Sequence, residues 1–319
     1  MIFLLKKFMK YLLIDFGATY IKCATYNKNT NEYVLGENIL SPFVKNDKIS
    51  KSKILSILSN IVSFYKDIDG IIICTILGGC YIGDEYHSWK SSLSSSNKNV
   101  CLISGLFNSN PHIHHKLFTT SKEYLNKLKI IGNINSIPLY CALGDTNCVI
   151  KSINLTKNNV AINMGTGSQV ITLDKIERYF PSGRMFLTFQ EFFQSVGVDM
   201  FELINNISIE DVLNSSLDIN LNVFPQSQNY NGGGSISNIN ENKFNINNLL
   251  GSILREFILQ YKPFVKDYNE ILLLGGIAKK IQNLPELFQI YYPESKVILL
   301  ENGIESTHKG MIEYIKEEL

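Results

Sequence analysis

A surplus of charge of one sign is missing. The chain has 30 Lys+Arg against 29 Asp+Glu, a formal net charge of +1. No basic excess is there to neutralise a phosphate backbone, so nucleic acid is not an expected partner. Long apolar runs are missing too. The longest, Ile71 to Gly83, contains Thr75, Gly78 and Gly79 and falls well short of the ~20 residues a bilayer span needs. The apolar opening Met1-Ile2-Phe3-Leu4-Leu5 is cut by Lys6 and Lys7. Neither a signal peptide nor a membrane partner is expected. Cysteine is sparse, and Cys23, Cys74, Cys80, Cys101, Cys141 and Cys148 form no Cys-x-x-Cys pair. They read as free thiols of a reducing, cytoplasmic compartment. Tryptophan occurs once, at Trp89. The P-loop spacing Gly-x-x-x-x-Gly-Lys-[Ser/Thr] is absent, and no Gly-x-Gly-x-x-Gly follows a strand.

What is present is an internal echo. Tyr11-Leu12-Leu13-Ile14 runs into Asp15-Phe16-Gly17-Ala18-Thr19 and a second strand, Tyr20 to Tyr26. Half a chain later Val160-Ala161-Ile162 runs into Asn163-Met164-Gly165-Thr166-Gly167 and then Ser168 to Leu173. Each is strand, Gly/Thr turn, strand. Two such units suggest a duplicated protein with domains over 1–155 and 156–319. Elsewhere helix and strand alternate, which reads as α/β with mixed sheets. Ile54, Leu58, Ile61, Val62 and Tyr65 lie at helical spacing behind Ser50 or Ser52 as N-cap. Ile71 to Cys74, Ile137 to Ala142, Glu270 to Leu274 and Lys296 to Leu300 read as strands, and Ile304 to Glu318 as a closing helix. Gln226 to Asn242, rich in Asn, Gly and Ser, reads as a surface loop.

Glycine at a turn tip lets backbone N–H groups approach an anion, and threonine adds a hydroxyl donor. Gly17, Thr19, Gly165, Thr166, Gly167 and Ser168 are therefore candidate phosphate contacts, with Lys22 as a candidate cation beside the first tip. Asp15, at the end of its strand, suits a hydrated Mg²⁺. Asp145 follows a strand and a glycine at a helix start. It is either an ordinary N-cap or the base that accepts a hydroxyl proton in phosphoryl transfer. The company of two phosphate cradles favours the base. A third turn, Gly275-Gly276-Ile277-Ala278-Lys279, would let a flat adenine ring lie against backbone. Trp89 either stacks on a sugar or packs in the protein. The cluster His112, His114 and His115 lacks the Cys or carboxylate partners of a metal site.

Together these motifs resemble those of the actin/Hsp70/sugar-kinase superfamily. Asp15-Phe16-Gly17-Ala18-Thr19-Tyr20-Ile21-Lys22 is similar to its first phosphate motif, and Gly165-Thr166-Gly167-Ser168 to its second. Leu273-Leu274-Gly275-Gly276-Ile277-Ala278 is similar to its adenosine motif. Ala142-Leu143-Gly144-Asp145-Thr146-Asn147 resembles the Gly-Asp segment of the FGGY carbohydrate kinases, and Asn231 to Ile239 has an FGGY-like pattern. Sedoheptulokinase-like members are the nearest subgroup.

The resemblance implies two ribonuclease-H-like domains of the actin-like ATPase type, with mixed sheets flanked by helices and a cleft between them. It implies ATP and Mg²⁺ as cofactors and a small-molecule sugar as substrate, with sedoheptulose or a related ketose or polyol foremost. It places the base at Asp145 and the metal-associated carboxylate at Asp15. Nucleotide contacts fall at Gly17, Thr19, Lys22, Gly165, Thr166, Gly167, Ser168, Gly275, Gly276 and Lys279, and substrate contacts at Trp89 and Asn147. A homodimer is left open. Two alternatives share the motifs. One is a nucleotide-binding member that has lost catalysis, suggested by a short first half. The other is an N-acetylglucosamine-kinase-like enzyme, whose usual Asn-Asp-Ala segment differs from Gly144-Asp145-Thr146.

Overall fold

The computed structural model describes residues 9–75, 79–88, 91, 93, 99–100, 102–107, 113–114, 127–165, 167–178, 182–221, 233–300 and 304–319. The chain divides into two compact units, 1–154 with 302–319, and 155–301.

Unit 1 contains β1 (Lys10–Phe16), β2 (Tyr20–Asn27), β3 (Glu32–Leu40), β4 (Lys48–Ser50), β5 (Gly70–Thr75), β6 (Cys80–Ile82), β7 (Glu85–His87), β8 (Asn99–Val100), β9 (Ile113–His114), β10 (Lys129–Ile134) and β11 (Ile137–Gly144). Its main sheet has the order β10-β11-β5-β1-β2-β3, while β4-β7-β6 and β8-β9 form small sheets. Unit 2 contains β12 (Asn159–Met164), β13 (Ser168–Ile171), β14 (Ile176–Arg178), β15 (Asp218–Asn220), β16 (Ser235–Ser237), β17 (Glu270–Leu274) and β18 (Lys296–Leu299). Its main sheet has the order β14-β13-β12-β17-β18, and β15 pairs with β16.

The two sheets repeat one topology. In unit 1, β3-β2-β1 is an antiparallel meander whose first strand continues into parallel β5 and β11. In unit 2, β14-β13-β12 is the same meander, continued by parallel β17 and β18. The echo of Asp15-Phe16-Gly17 in Asn163-Met164-Gly165 is thus the first turn of a duplicated five-strand unit. The chain has the mixed α/β fold expected from its motifs.

β1 and β5 are buried on both faces, so they read as continuous apolar runs. Alternation still sorts their side chains. Leu12, Ile14, Phe16, Ile71 and Ile73 pack with Ile54, Leu58 and Ile61 of the helix Lys51–Ser63. That helix starts where Ser50 Oγ accepts from Lys53 N at 3.3 Å. Tyr11, Leu13, Ile72 and Cys74 face the other way and pack with Cys148, Met311, Ile312 and Ile315. The cover on that face is the helix Asp145–Lys151 together with the helix Ser306–Glu318. This need explains why 302–319, expected in the second domain, packs instead in unit 1. Without it that face of β1 and β5 would be covered by the short helix Asp145–Lys151 alone. The first change of unit, at 154/155, lies beside the expected 155/156.

Unit 2 has its own core, in which Val160, Ile162, Met164, Ile271 and Leu273 pack with Leu250, Ile253, Leu254 and Phe257. The last four lie on the helix Ile246–Leu259, capped by Asn245, whose side chain accepts from Asn248 N at 2.9 Å. Part of the expected loop Gln226–Asn242 lies outside the described residues. Of the rest, Ser235–Ser237 forms β16.

Candidate active site

In unit 1, β1 and β5 pair Asp15 with Cys74, and β5 and β11 pair Thr75 with Gly144. Three adjacent parallel strands therefore bring Asp15, Thr75 and Gly144-Asp145 to one carboxyl-terminal edge. In open α/β sheets this is the edge where ligands bind. β11 carries a register shift between Cys141 and Gly144, an irregularity that re-aims the strand end into the helix Asp145–Lys151.

Asp145 begins that helix and is half-buried. Its Oδ1 accepts from Thr146 N at 2.6 Å and from Thr146 Oγ1 at 3.2 Å. Asn147 is fully buried, and its Oδ1 accepts from Gly144 N at 3.1 Å. Read as a substrate contact in the sequence, Asn147 here braces the turn that presents Asp145.

Asp15 is 7 % exposed. Thr307 Oγ1 donates to its Oδ2 at 2.9 Å, and the Cys74 thiol lies 3.6 Å from its Oδ1. Burial, and then the charge of Asp145, push the Asp15 carboxyl up to about 6, against the opposing pull of Lys22, Thr307 and Cys74. Lys22 is the cross-strand partner of Asp15. Its ammonium pairs with Glu305 Oε2 at 3.0 Å, with both side chains about one-third exposed (31 % and 34 %). His308 Nε2 lies 3.3 Å from the Lys22 carbonyl, and His308 Nδ1 lies 3.0 Å from Tyr33 Oη. Burial lowers His308 to about 4, so the ring is neutral at pH 7.

The first hairpin tip needs its glycine. Gly17 N donates to the Asp15 carbonyl at 3.0 Å and to the Tyr20 carbonyl at 3.1 Å. A Cβ at Gly17 would sit 2.7 Å from the Tyr20 oxygen. Thr19 is exposed beside it.

In unit 2, β12 and β17 pair Asn163 with Leu274, which sets Gly165 and Gly275 at the same carboxyl-terminal edge. Gly275 has φ +97°, and a Cβ there would lie 2.7 Å from the Met164 carbonyl oxygen. Only glycine fits this approach without strain. Gly167 and Gly276 have open space where a side chain would stand. The Gly165 carbonyl accepts from Gly183 N at 2.9 Å and from Ser182 Oγ at 3.3 Å. Ser168 is buried, and its hydroxyl bonds Ser182 Oγ at 2.8 Å and Tyr261 Oη at 2.6 Å. The Ser168 hydroxyl thus joins β13 to the start of the helix Ser182–Ser195 and to Tyr261, the N-cap of the helix Lys262–Val265. Lys279 is half-buried on the helix Gly276–Lys280, and its N–H donates to the Gly275 carbonyl at 3.2 Å.

Trp89, Thr166, His112 and His115 lie outside the described residues. Cys23, Cys74, Cys80, Cys141 and Cys148 are free and buried. Among the described residues no three His, Cys, Asp or Glu side chains cluster to hold a metal, and no helix is long and apolar enough to cross a membrane. Sequence reading missed Thr307, Glu305 and Thr75. No local pattern marks Thr307, which is 292 residues from the carboxylate it touches.

No protein-family model and no curated protein matches the chain. Solved structures do. A gluconate kinase from Lactobacillus acidophilus superposes with TM-score 0.66 at 11 % identity, over 96 % of this chain and 89 % of that one. The fold is the one these kinases share. A ligand-bound xylulose kinase from the same organism gives TM-score 0.65 at 10 % identity, over 95 % and 89 % of the two chains. An activator of 2-hydroxyisocaproyl-CoA dehydratase from Clostridium difficile, with ADPNP bound, gives TM-score 0.50 at 13 % identity, over 97 % and 95 %.

Proposed function

We propose that the protein is an ATP-dependent carbohydrate kinase acting on a ketose or polyol of the sedoheptulose class. The observation that carries this reading is the edge of unit 1. Asp15 and Asp145 stand at the ends of β1 and β11, the two parallel strands that flank β5, close enough for the charge of Asp145 to add to burial in raising the Asp15 pKa. Structural likeness to sugar kinases supports the same assignment.

Asp145 stands at a helix start, braced through Gly144 by Asn147. In this role it accepts the proton of the sugar hydroxyl as that oxygen attacks the γ-phosphorus, which leaves ADP. General-base assistance of this kind contributes about 10²–10⁴-fold. Within unit 2, the turns at Gly165, Gly167, Gly275 and Gly276 offer backbone suited to a nucleotide, and within unit 1 the tip at Gly17 and Thr19 offers backbone and a hydroxyl suited to an anion.

The residues also fit Mg²⁺. That ion keeps several waters and takes one or two carboxylates plus phosphate oxygens. Asp15 is a carboxylate raised first by burial and then by Asp145, and a divalent cation relieves the repulsion between the two. The ion would neutralise phosphate charge, and Asp15 would hold its hydration shell.

A second reading, a nucleotide-binding protein without transferase activity, is favoured by one observation. Lys22 and Ser168, two of the expected phosphate contacts, are engaged with Glu305 and with Tyr261 and Ser182. ADP release from MgATP separates the readings, measured over ketoses, pentitols, glycerol and aminosugars with Asp145→Asn as control. Release with a ketose or polyol, cut at least about 100-fold in the variant, is the expected result. Release with an aminosugar alone would move the assignment to the N-acetylglucosamine-kinase-like branch. Thermal stabilisation by MgATP without sugar-dependent release would establish the second reading.

A further inference from the structure

The start of the helix Ser306–Glu318 meets the β1–β2 hairpin at three places: Glu305 on Lys22, His308 on the Lys22 carbonyl, and Thr307 on Asp15. The last bond differs from the other two. It is buried and reaches the carboxylate itself. Alternation along β1 puts Asp15 on the face of Leu13 and Tyr11, which this helix covers. Asp15 can thus be approached by a hydroxyl from the covering helix. Thr307 Oγ1 donates to Oδ2, while Oδ1 has the weaker partner, the Cys74 thiol at 3.6 Å. A carboxylate tied at one oxygen has its plane set and its other oxygen aimed.

We infer that Thr307 is a positioning residue: its hydroxyl fixes Oδ2 of Asp15, so that Oδ1 is presented to the hydrated divalent cation that accompanies the nucleotide. The inference rests on the kinase-site reading of Asp15. Partners that orient a ligating carboxylate are typically worth about 10–100-fold in metal affinity. Thr307 touches neither sugar nor phosphate in this role and acts through Asp15 alone.

The test is Mn²⁺ binding, followed by electron paramagnetic resonance, to the full-length protein saturated with ADP. Thr307→Val replaces the hydroxyl by a methyl of the same shape, Thr307→Ser keeps the hydroxyl, and Asp15→Asn removes the charge. Metal-free ADP affinity and the thermal melt serve as readouts of the fold. Thr307→Val is expected to weaken Mn²⁺ about 10-fold or more with metal-free ADP affinity unchanged, and Thr307→Ser to restore it. If Thr307→Val disrupts the fold, Thr307→Ser against Thr307→Ala makes the same comparison of hydroxyl against none. Wild-type Mn²⁺ affinity in the hydroxyl-free variant, with Asp15→Asn weakened, overturns the role of Thr307 and leaves the site reading intact. Equal losses in the serine and hydroxyl-free variants overturn it too, because packing would then explain the effect. Unchanged affinity in Asp15→Asn as well overturns the site reading itself, and the role of Thr307 with it.

Discussion

Replacing Asp15 by Asn should make the stability of the apoprotein climb with pH where that of the wild type stays level. Asp15 and His308 act in opposite directions over nearly the same window. The Asp15 carboxyl is raised from its ordinary 3.8 to about 6, first by burial and then by Asp145. Between those values the native state holds more protons than the unfolded chain. Stability from this group is complete below 3.8 and is lost as pH rises through about 6, a fall of about 3 kcal/mol. His308 is lowered from 6.5 to about 4 by burial. Here the unfolded chain holds more protons. Stability from this group is complete above 6.5 and is lost as pH falls through about 4, again about 3 kcal/mol. The two nearly cancel. An Asn at position 15 removes the first slope and keeps an oxygen to accept from Thr307. Its stability should therefore rise by about 3 kcal/mol from pH 4 to 6.5. His308→Gln should do the reverse and fall over the same range. Urea unfolding at half-unit pH steps, followed by circular dichroism, gives both profiles against the wild type. Parallel profiles for Asp15→Asn and the wild type would refute the argument, since they would mean that Asp15 ionises alike in both states.

Other expectations follow from close packing. Gly275→Ala should cost about 1–3 kcal/mol for its left-handed backbone alone, more with the clash at Met164, and should abolish thermal stabilisation by ATP. Wild-type melting and wild-type ATP response would show that the turn relaxes freely. Gly310 lies against the backbone of Cys148, where a methyl group would overlap the carbonyl oxygen. Gly310→Ala should lower stability by about 1–3 kcal/mol or more in urea unfolding, because the helices Asp145–Lys151 and Ser306–Glu318 must separate. Ser168→Ala should cost about 0.5–1.5 kcal/mol by removing the buried hydroxyl that bonds Ser182 and Tyr261. Its ADP affinity, measured by calorimetry, should stay near wild type. A large loss of affinity would return Ser168 to the phosphate contacts.

Much of this was legible locally. Glycine tips between alternating strands marked both hairpins, because a two-strand turn is written in adjacent residues. Gly144-Asp145 announced a helix start, and the apolar spacing of Ile54, Leu58 and Ile61 a helix. What escaped were pairings between distant parts of the chain. Nothing near β14 says that Gln169 pairs with Arg178 to finish a second meander. Nothing near Ser306 says that its helix covers β1. The burial of Asp15 could be read from its place among Leu13, Ile14 and Phe16, yet the identity of its partner could not. The partners of Ser168 escaped for a related reason. Its side chain lies on the inner face of β13, and only the fold shows that Tyr261 waits there.

The return of 302–319 to unit 1 bears on the order of events during synthesis. Unit 2 is one continuous stretch and leaves the ribosome whole. Unit 1 begins first but finishes last, because its final helix is translated after all of unit 2. Until then the face of β1 that carries Tyr11, Leu13 and Asp15 lacks Met311 and Ile315, has only the helix Asp145–Lys151 to cover it, and is left partly open to solvent or to a chaperone. A chain stalled before Asn302 would hold every glycine turn and both carboxylates, yet it would lack the hydroxyl that orients one of them.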